Sequence, residues 1–432
     1  MPPRRMEILL GLWMTVPGLQ AQPPARTMGT IAAVLDRIYP QLDALYLDLH
    51  RNPELSGKEV RTSARMAEQL RKTGYEVTTG IGGNGVVGVL RNGKGPTVLI
   101  RTELDALPVE EKTGLAHASL EPGVMHACGH DAHMAGWVGA ASLLAALKER
   151  WRGTVLMVGQ PAEETVEGAR AMIADGLFSR FPIPDAALAV HGRADLAAGK
   201  VSWVAGYTMA NVDSGDITLY GRGSHGARPE LSVDPIVLAA RTVLALQTLI
   251  SREKDPLEPA VLTVGSIHGG TKTNIIPDEV KLQLTLRTYS PSVRAQMLAG
   301  IARIAKAESL AAGSPREPRI DIDEGQDATW NDPALTRRLA AALTRGLGAG
   351  NVEESRPDMV AEDFGEYGKA AKIPSVLFRT GMAGPERVRS GAALPSLHSS
   401  AFAPDREPAI RTGAKVLVLS ALEILGTPEA PR

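Results

Sequence analysis

At 432 residues the chain exceeds the usual reach of one hydrophobic core, so two or three domains are expected. Its 44% hydrophobic and 22% charged residues are ordinary for a soluble globular protein. A formal net charge of −1 with scattered basic residues, and only 4% aromatic residues, leave neither an electrostatic footprint nor a stacking platform for nucleic acid.

The N-terminus reads as an export signal. Arg4 and Arg5 precede a mostly apolar run over 8–16, and Leu19-Gln20-Ala21 offers a small residue before a cut, giving a signal peptide over 1–21. That predicts a periplasmic or secreted protein; without the signal it would be cytoplasmic. No later apolar run is long enough to span a bilayer, so no membrane insertion is expected after signal removal. Residues 22–28 are Pro-rich. From Thr30, Ile31, Val34, Leu35, Ile38, Leu42, Leu45 and Leu49 recur at three and four residues, which predicts a helix ending at Asn52-Pro53. His50, at the end of that amphipathic pattern, reads as structural. A second helix is predicted over 58–72, with Gly74 as its stop, then a turn at Gly82-Gly83-Asn84-Gly85 between strand-like runs.

Thr97-Val98-Leu99-Ile100 is a continuous apolar run and predicts a buried strand. After it, Arg101-Thr102-Glu103-Leu104-Asp105 places two carboxylates two residues apart. Such a pair suits a site at a strand end and equally a solvated loop. The densest chemistry follows: Met125-His126-Ala127-Cys128-Gly129-His130-Asp131-Ala132-His133 packs three His, one Cys and one Asp into nine positions and holds the only Cys of the chain. A lone Cys is ordinarily a small buried hydrophobe. If the stretch is extended, alternate side chains share a face, so His126, Cys128 and His130 would point one way. A thiolate and imidazoles aimed at one point are ligands for a borderline-soft divalent metal.

A long helix to about 150 is expected next, then a buried strand over 153–159 ending in Gln160-Pro161-Ala162-Glu163-Glu164. Adjacent glutamates on a non-helical backbone point apart, so one can bind a metal while the other faces substrate; the alternative is a surface charge pair. Ala186-Ala187-Leu188-Ala189-Val190 predicts another strand, ending in His191-Gly192. Three apolar strands therefore end in candidate ligands or acids, and their alternation with helices predicts a largely parallel α/β sheet. Beyond 207 the texture changes to strand–helix–strand–strand–helix–strand, the order of a split βαβ sandwich, before the earlier pattern resumes near 325. The predicted organisation is a catalytic domain in two parts, 30–206 and 325–426, interrupted by a satellite domain at 207–324.

Taken together these motifs resemble the hippurate hydrolase and N-acyl-amino-acid amidohydrolase family, which includes the indole-acetyl-amino-acid hydrolases. That family sits within a wider group of co-catalytic metallopeptidases. The resemblance covers about 40–425 and rests on His-Arg-Asn-Pro-Glu-Leu-Ser from His50, Leu104 to Pro108, Met125 to His133, Gln160 to Glu164, His225 to Pro229, Gly269 to Pro277, Glu362-Asp363-Phe364 and Leu397-His398-Ser399, in that order. It implies an α/β, zinc-peptidase-like catalytic domain with an inserted α+β satellite, often used for dimer contacts. It makes Cys128, His130, Glu164, His191 and His398 the ligands of two divalent metal ions, Glu163 the general acid/base, and Asp105 a support for the ligands. His225 is implied to reach the reacting carbonyl, in some relatives from the partner subunit, and Asn274 and Arg287 to help hold a substrate carboxylate. Thiolate and imidazole ligands suit Zn, Co or Ni and argue against Mg and Ca, with Mn left open by availability. Two departures stand out: Glu103 replaces the usual Asp, and Asn52 a common His.

The resemblance implies a metal-dependent amidohydrolase that cleaves small-molecule N-acyl or N-aroyl amino acids. The alternatives are a metallo-dipeptidase or carboxypeptidase on the same scaffold, and a relative that binds without catalysis. Retention of Glu163 and all five ligands argues against the last.

Overall fold

The apolar runs of the first part form strands covered on both faces. The chain passes from α1 (Ala25–Arg51) and α2 (Val60–Lys72) through β1 (Glu76–Ile81), β2 (Gly85–Asn92) and β3 (Thr97–Glu103) to α3 (His130–Ala146), β4 (Gly153–Gln160), β5 (Ala186–Ala197) and β6 (Val201–Trp203). A second unit follows: β7 (Val212–Tyr220), α4 (Pro235–Thr248), β8 (Ala260–His268), β9 (Glu279–Thr288), α5 (Pro291–Ala311) and β10 (Arg319–Gln326). Then α6 (Pro333–Leu347), β11 (Val352–Glu354), β12 (Ser375–Ala383) and α7 (Arg406–Ile424) complete the first unit. The structure, a computed structural model, describes residues 25–426, so the expected signal over 1–21 lies outside the described residues.

The large sheet has eight strands in the order β1-β2-β4-β3-β5-β12-β6-β11. Its centre is parallel: β3 pairs in parallel with β4 and β5, and β12 with β5. One edge is antiparallel, because the tight turn between β1 and β2 can join only antiparallel neighbours; β6 also runs antiparallel to β12. Period-two packing shows why the central strands read as unbroken apolar runs. Val98, Ile100, Val155 and Met157 face the α1–α3–α7 side, while Leu99, Leu156 and Val158 face the opposite core with Met172, Phe364 and Tyr367. Helix α3 can lie in the middle because it is Gly- and Ala-rich. At Gly136 a side chain would come within 3.2 Å of the Ile410 carbonyl, and at Gly139 within 3.0 Å of Ala414, so small residues let α7 approach.

The second unit is a four-stranded antiparallel sheet, β8-β9-β7-β10, with α4 and α5 on one face. Here alternation is plain. Ile217, Leu219, Leu282, Leu284 and Leu286 pack with Leu238, Leu246, Met297 and Ile301, while the intervening residues are polar. Its sheet spans 212–326. The two crossings between units run side by side, Gly206–Met209 pairing antiparallel with Thr329–Asn331.

Candidate metal centre and active site

The chemistry gathers beyond the C-terminal ends of β3 and β4 and along β5, where open α/β sheets carry their sites. The extended reading of 125–133 is not what forms. Gly129 adopts φ 84°, and His130 is already the first residue of α3. The left-handed residue, not a pleat, brings Cys128 and His130 to one place, and glycine is the residue that adopts this backbone without strain. His126 is a buried ring whose two nitrogens have no hydrogen-bond partner. Burial pushes it down to about 4, so it is neutral.

Three remote segments complete the cluster. Cys128 Sγ lies 3.5 Å from His191 Nε2 and 3.3 Å from His398 Nε2. His398 Nε2 is 3.5 Å from Glu164 Oε2, and His130 Nε2 is 3.8 Å from Glu164 Oε1 and 3.7 Å from Glu163 Oε2. His191 sits within β5, in register with Arg379 of β12; the strand continues to Ala197 rather than ending at the histidine. His398 itself lies in a loop at φ 65°, pinned by its own N–H donating to the Ala127 carbonyl at 2.9 Å. Each buried imidazole is turned by its other nitrogen: His130 Nδ1 donates to the Asp105 carbonyl at 2.8 Å and His191 Nδ1 to the Gly192 carbonyl at 3.0 Å. Both Nε2 lone pairs are thereby left for the cluster. The Asp105 carboxylate accepts from Ser56 Oγ at 2.7 Å and from the Glu164 N–H at 2.9 Å. It therefore holds the backbone at Glu164, and its Oδ1 also lies 3.5 Å from His130 Nδ1.

The donor set fits two divalent ions. Cys128, His130 and His191 offer atoms within 4.8 Å of one another, as do Cys128, Glu164 and His398, and Cys128 is common to both groups. His130 Nε2 and Glu164 Oε1 are buried without a hydrogen-bond partner, a costly state that a cation would relieve. Burial pulls the His191 ring well below the usual imidazole range and keeps it a lone-pair donor. Burial, then the Glu164 charge, pushes the Cys128 thiol up, so binding a metal must displace its proton. Burial, then the Glu362 and Glu164 charges, holds the Glu163 carboxyl well above the usual carboxylate range.

One part of the site escaped the sequence reading. Arg101 and Glu103 are not in a solvated loop; both lie within β3, fully buried. The Arg101 guanidinium donates to Gln160 Oε1 at 2.9 Å, Glu103 Oε1 at 2.5 Å, Glu362 Oε1 at 2.8 Å and Asp363 Oδ1 at 2.9 Å. Glu103 Oε2 also lies 3.2 Å from His133 Nδ1. An arginine inside an apolar strand was the available signal, since a buried cation demands carboxylates. Glu59, also fully buried, accepts the Ala162 N–H at 2.9 Å and so fixes the backbone just before Glu163.

A cavity of about 490 Å³ opens over the cluster, lined by Cys128, Glu163, Glu164, His191 and His398, with Arg287 reaching in from β9 of the satellite. His225 and Asn274 are not brought there. They neighbour each other in an exposed part of the satellite, where Ser224–His225 pairs with Ile275–Ile276 and the Gly226 N–H donates to the Asn274 carbonyl at 2.8 Å.

The sequence model of peptidase family M20/M25/M40 matches residues 99–423. The chain is 36% identical over 334 residues to the N-acetyl-L-cysteine deacetylase of Bacillus subtilis, covering 77% of this chain and 79% of that protein. It is 35% identical over 342 residues to the hippurate hydrolase of Campylobacter jejuni, covering 79% and 88%. Among solved structures, the YXEP protein of Bacillus subtilis, described as a dinuclear metal binding peptidase from the M20 family, superposes with a TM-score of 0.75. It shares 28% identity and covers 90% of this chain and 100% of that one.

Proposed function

Because this chain belongs to peptidase family M20/M25/M40, we propose that it is the amidohydrolase of a small N-acyl or N-aroyl amino acid, releasing a carboxylic acid and a free amino acid. It is a metal-dependent hydrolase of the dinuclear type. The observation that carries the substrate reading is the pairing, in one cavity, of the ligand cluster with Arg287. That half-buried guanidinium has no ion-pair or hydrogen-bond partner among the described residues, and it suits a substrate carboxylate. Cys128, His130, Glu164, His191 and His398 would hold two divalent ions, of zinc, manganese, cobalt or nickel. When bound, these ions supply Lewis-acid polarisation of the amide carbonyl and a nucleophile at neutral pH.

The protein's own part is proton management and orientation. Glu163, raised by burial and by its carboxylate neighbours, is suited to take a proton from the attacking water and return it to the leaving amine nitrogen. Asp105 and Glu59 hold the backbone on which Glu163 and Glu164 stand. His225 is exposed and outside the cavity of its own chain, so its proposed contact with the carbonyl would come from a second subunit. That contact requires a homodimer, which we propose forms through the satellite, where the exposed Val237 and Leu244 of α4 and Ile267 of edge strand β8 offer an apolar face. Export by the leader over 1–21 is proposed from sequence; N-terminal sequencing of protein from the cell envelope fraction tests it.

The function is tested by assaying purified protein, loaded in turn with Zn, Mn, Co and Ni, against N-acetyl and N-benzoyl amino acids and dipeptides. Release of free amino acid from the acyl compounds supports the reading. Turnover of dipeptides alone would replace it with a dipeptidase or carboxypeptidase, and no turnover of either class would overturn it.

A further inference from the structure

The loop that carries Glu163 and Glu164 is bracketed by two non-glycine residues in the left-handed region, Ala162 at φ 53° and Val166 at φ 54°. For a β-branched side chain this is a rare and strained backbone, and such strain persists only where the surroundings over-determine it. The surroundings here do. The Val166 N–H donates to the Glu163 carbonyl at 2.7 Å, and the Gly168 N–H to the Ala162 carbonyl at 3.1 Å. At Gly168 any side chain would meet the Pro161 carbonyl at 1.6 Å, so the loop packs tightly against Pro161 and only glycine fits there. Buried Glu59 holds Ala162 from behind.

What this conformation secures is the position of an apolar side chain. Val166 lines the cavity over the ligand cluster, and the rest of the apolar lining comes from Met209 and Val212 at the entry to the satellite, Met359, Val360 and Ala361 from the loop before Glu362, and Leu397 beside His398. The uncharged part of the cavity wall is thus drawn from four separate segments, and Arg287 is the cation opposite the acidic cluster. The volume of about 490 Å³ must hold both halves of a conjugate.

We propose that Val166 is a specificity-determining residue of this site: its side chain, fixed in the left-handed conformation, closes the wall against which the acyl group packs and selects a compact apolar acyl group over a bulky or polar one. The inference rests on the amide-hydrolase reading above. Methionines at 209 and 359 let the remaining wall adapt to shape, whereas Val166 cannot yield, because its backbone is locked and its χ1 is stiff.

The test compares kcat/KM for N-acetyl- and N-benzoyl-alanine in the metal-loaded wild type, Val166→Gly and Val166→Asn, both replacements that accept a positive φ. The glycine variant is expected to raise the benzoyl-to-acetyl ratio about tenfold, the scale of one to two methylenes in an apolar pocket. It should melt no lower than the wild type, since strain is removed. The asparagine variant, polar at the same place, is expected to lower the ratio below that of the wild type. Ratios unchanged within about twofold in both variants, with the wild type active, would overturn the role of Val166 and leave the amide-hydrolase reading standing. A wild type inactive on both compounds and on the other acyl amino acids would overturn that reading and this inference with it.

Discussion

Glu163 and Glu164 are adjacent and chemically identical, yet the fold gives them different work. Glu164 has an unpartnered oxygen turned toward His130, while Glu163 is buried among carboxylates that raise it. Glu163→Gln is therefore expected to retain both metals and lose on the order of 10²–10⁴ in kcat; parallel metal analysis and steady-state kinetics check it, and native turnover would exclude Glu163 from proton transfer. His50 is the second residue whose environment has a consequence in solution. Its Nδ1 lies 2.6 Å from Asp131 Oδ2 and its Nε2 3.4 Å from Glu111 Oε1. Burial works against its charge, but the Asp131 hydrogen bond and the Asp131 and Glu111 charges leave it raised. Asp131 is lowered: burial opposes this, but the hydrogen bond to His50 and the His50 charge outweigh it. A raised histidine stabilises the fold fully below its unfolded value, about 6.5, and loses that contribution as pH rises through the folded value. A lowered aspartate stabilises above its unfolded value and loses it as pH falls. The pair should thus count most from about pH 5 to 6.5. Melting curves of wild type and His50→Gln should differ most there and converge at higher pH; a constant difference from pH 5 to 9 would refute the assignment.

At the scale of the element, the start of α3 places Cys128 and His130, two of the proposed metal ligands. Gly129 is the hinge between Cys128 and His130, and a side chain there would meet the Phe402 ring at 3.4 Å as well as an unfavourable φ. Gly129→Ala should destabilise by about 1–2 kcal/mol and, by moving two ligands relative to each other, lower metal content after dialysis. Thermal unfolding with and without added zinc separates the two effects; full metal retention would show that the turn is not needed for ligand placement. The strands tell a related story. The continuous apolar runs of β3, β4 and β5 were readable as buried strands, but Arg101 and Glu103 inside β3 were not, because residue type alone places a charge outside. Only pairing with Gln160, Glu362 and Asp363 from β4 and the loop before residues 365–371 makes that burial tolerable.

For the whole molecule, metal and fold are linked. A ligand that binds only the native chain stabilises it by RT ln(1 + [L]/Kd), about 2.7 kcal/mol at a hundredfold excess over Kd. Metal-loaded protein should therefore melt above chelated protein. Since the Cys128 thiol is raised by burial and must lose its proton to bind, the gain should grow as pH rises. Titration in two buffers of different ionisation enthalpy measures the protons released, and a pH-independent affinity would mean that Cys128 is not a ligand. The same scale explains His225 and Asn274. Their motifs are legible along the chain, yet the fold leaves them exposed, beside each other in the satellite and outside the cavity.

Sequence by itself determined the class of fold, the order of its units and the chemical character of the ligands, because apolar periodicity and clusters of Cys, His and Glu are local along the chain. Tertiary structure alone decided which of them meet. Cys128 and His398 are separated by 270 residues and come within 3.3 Å because the His398 N–H bonds the Ala127 carbonyl, while a left-handed glycine after Cys128 turns the chain toward His130. It also decided that Val166 faces the cavity. A positive φ is a property of the enclosing contacts, and valine carries no mark of it in the sequence.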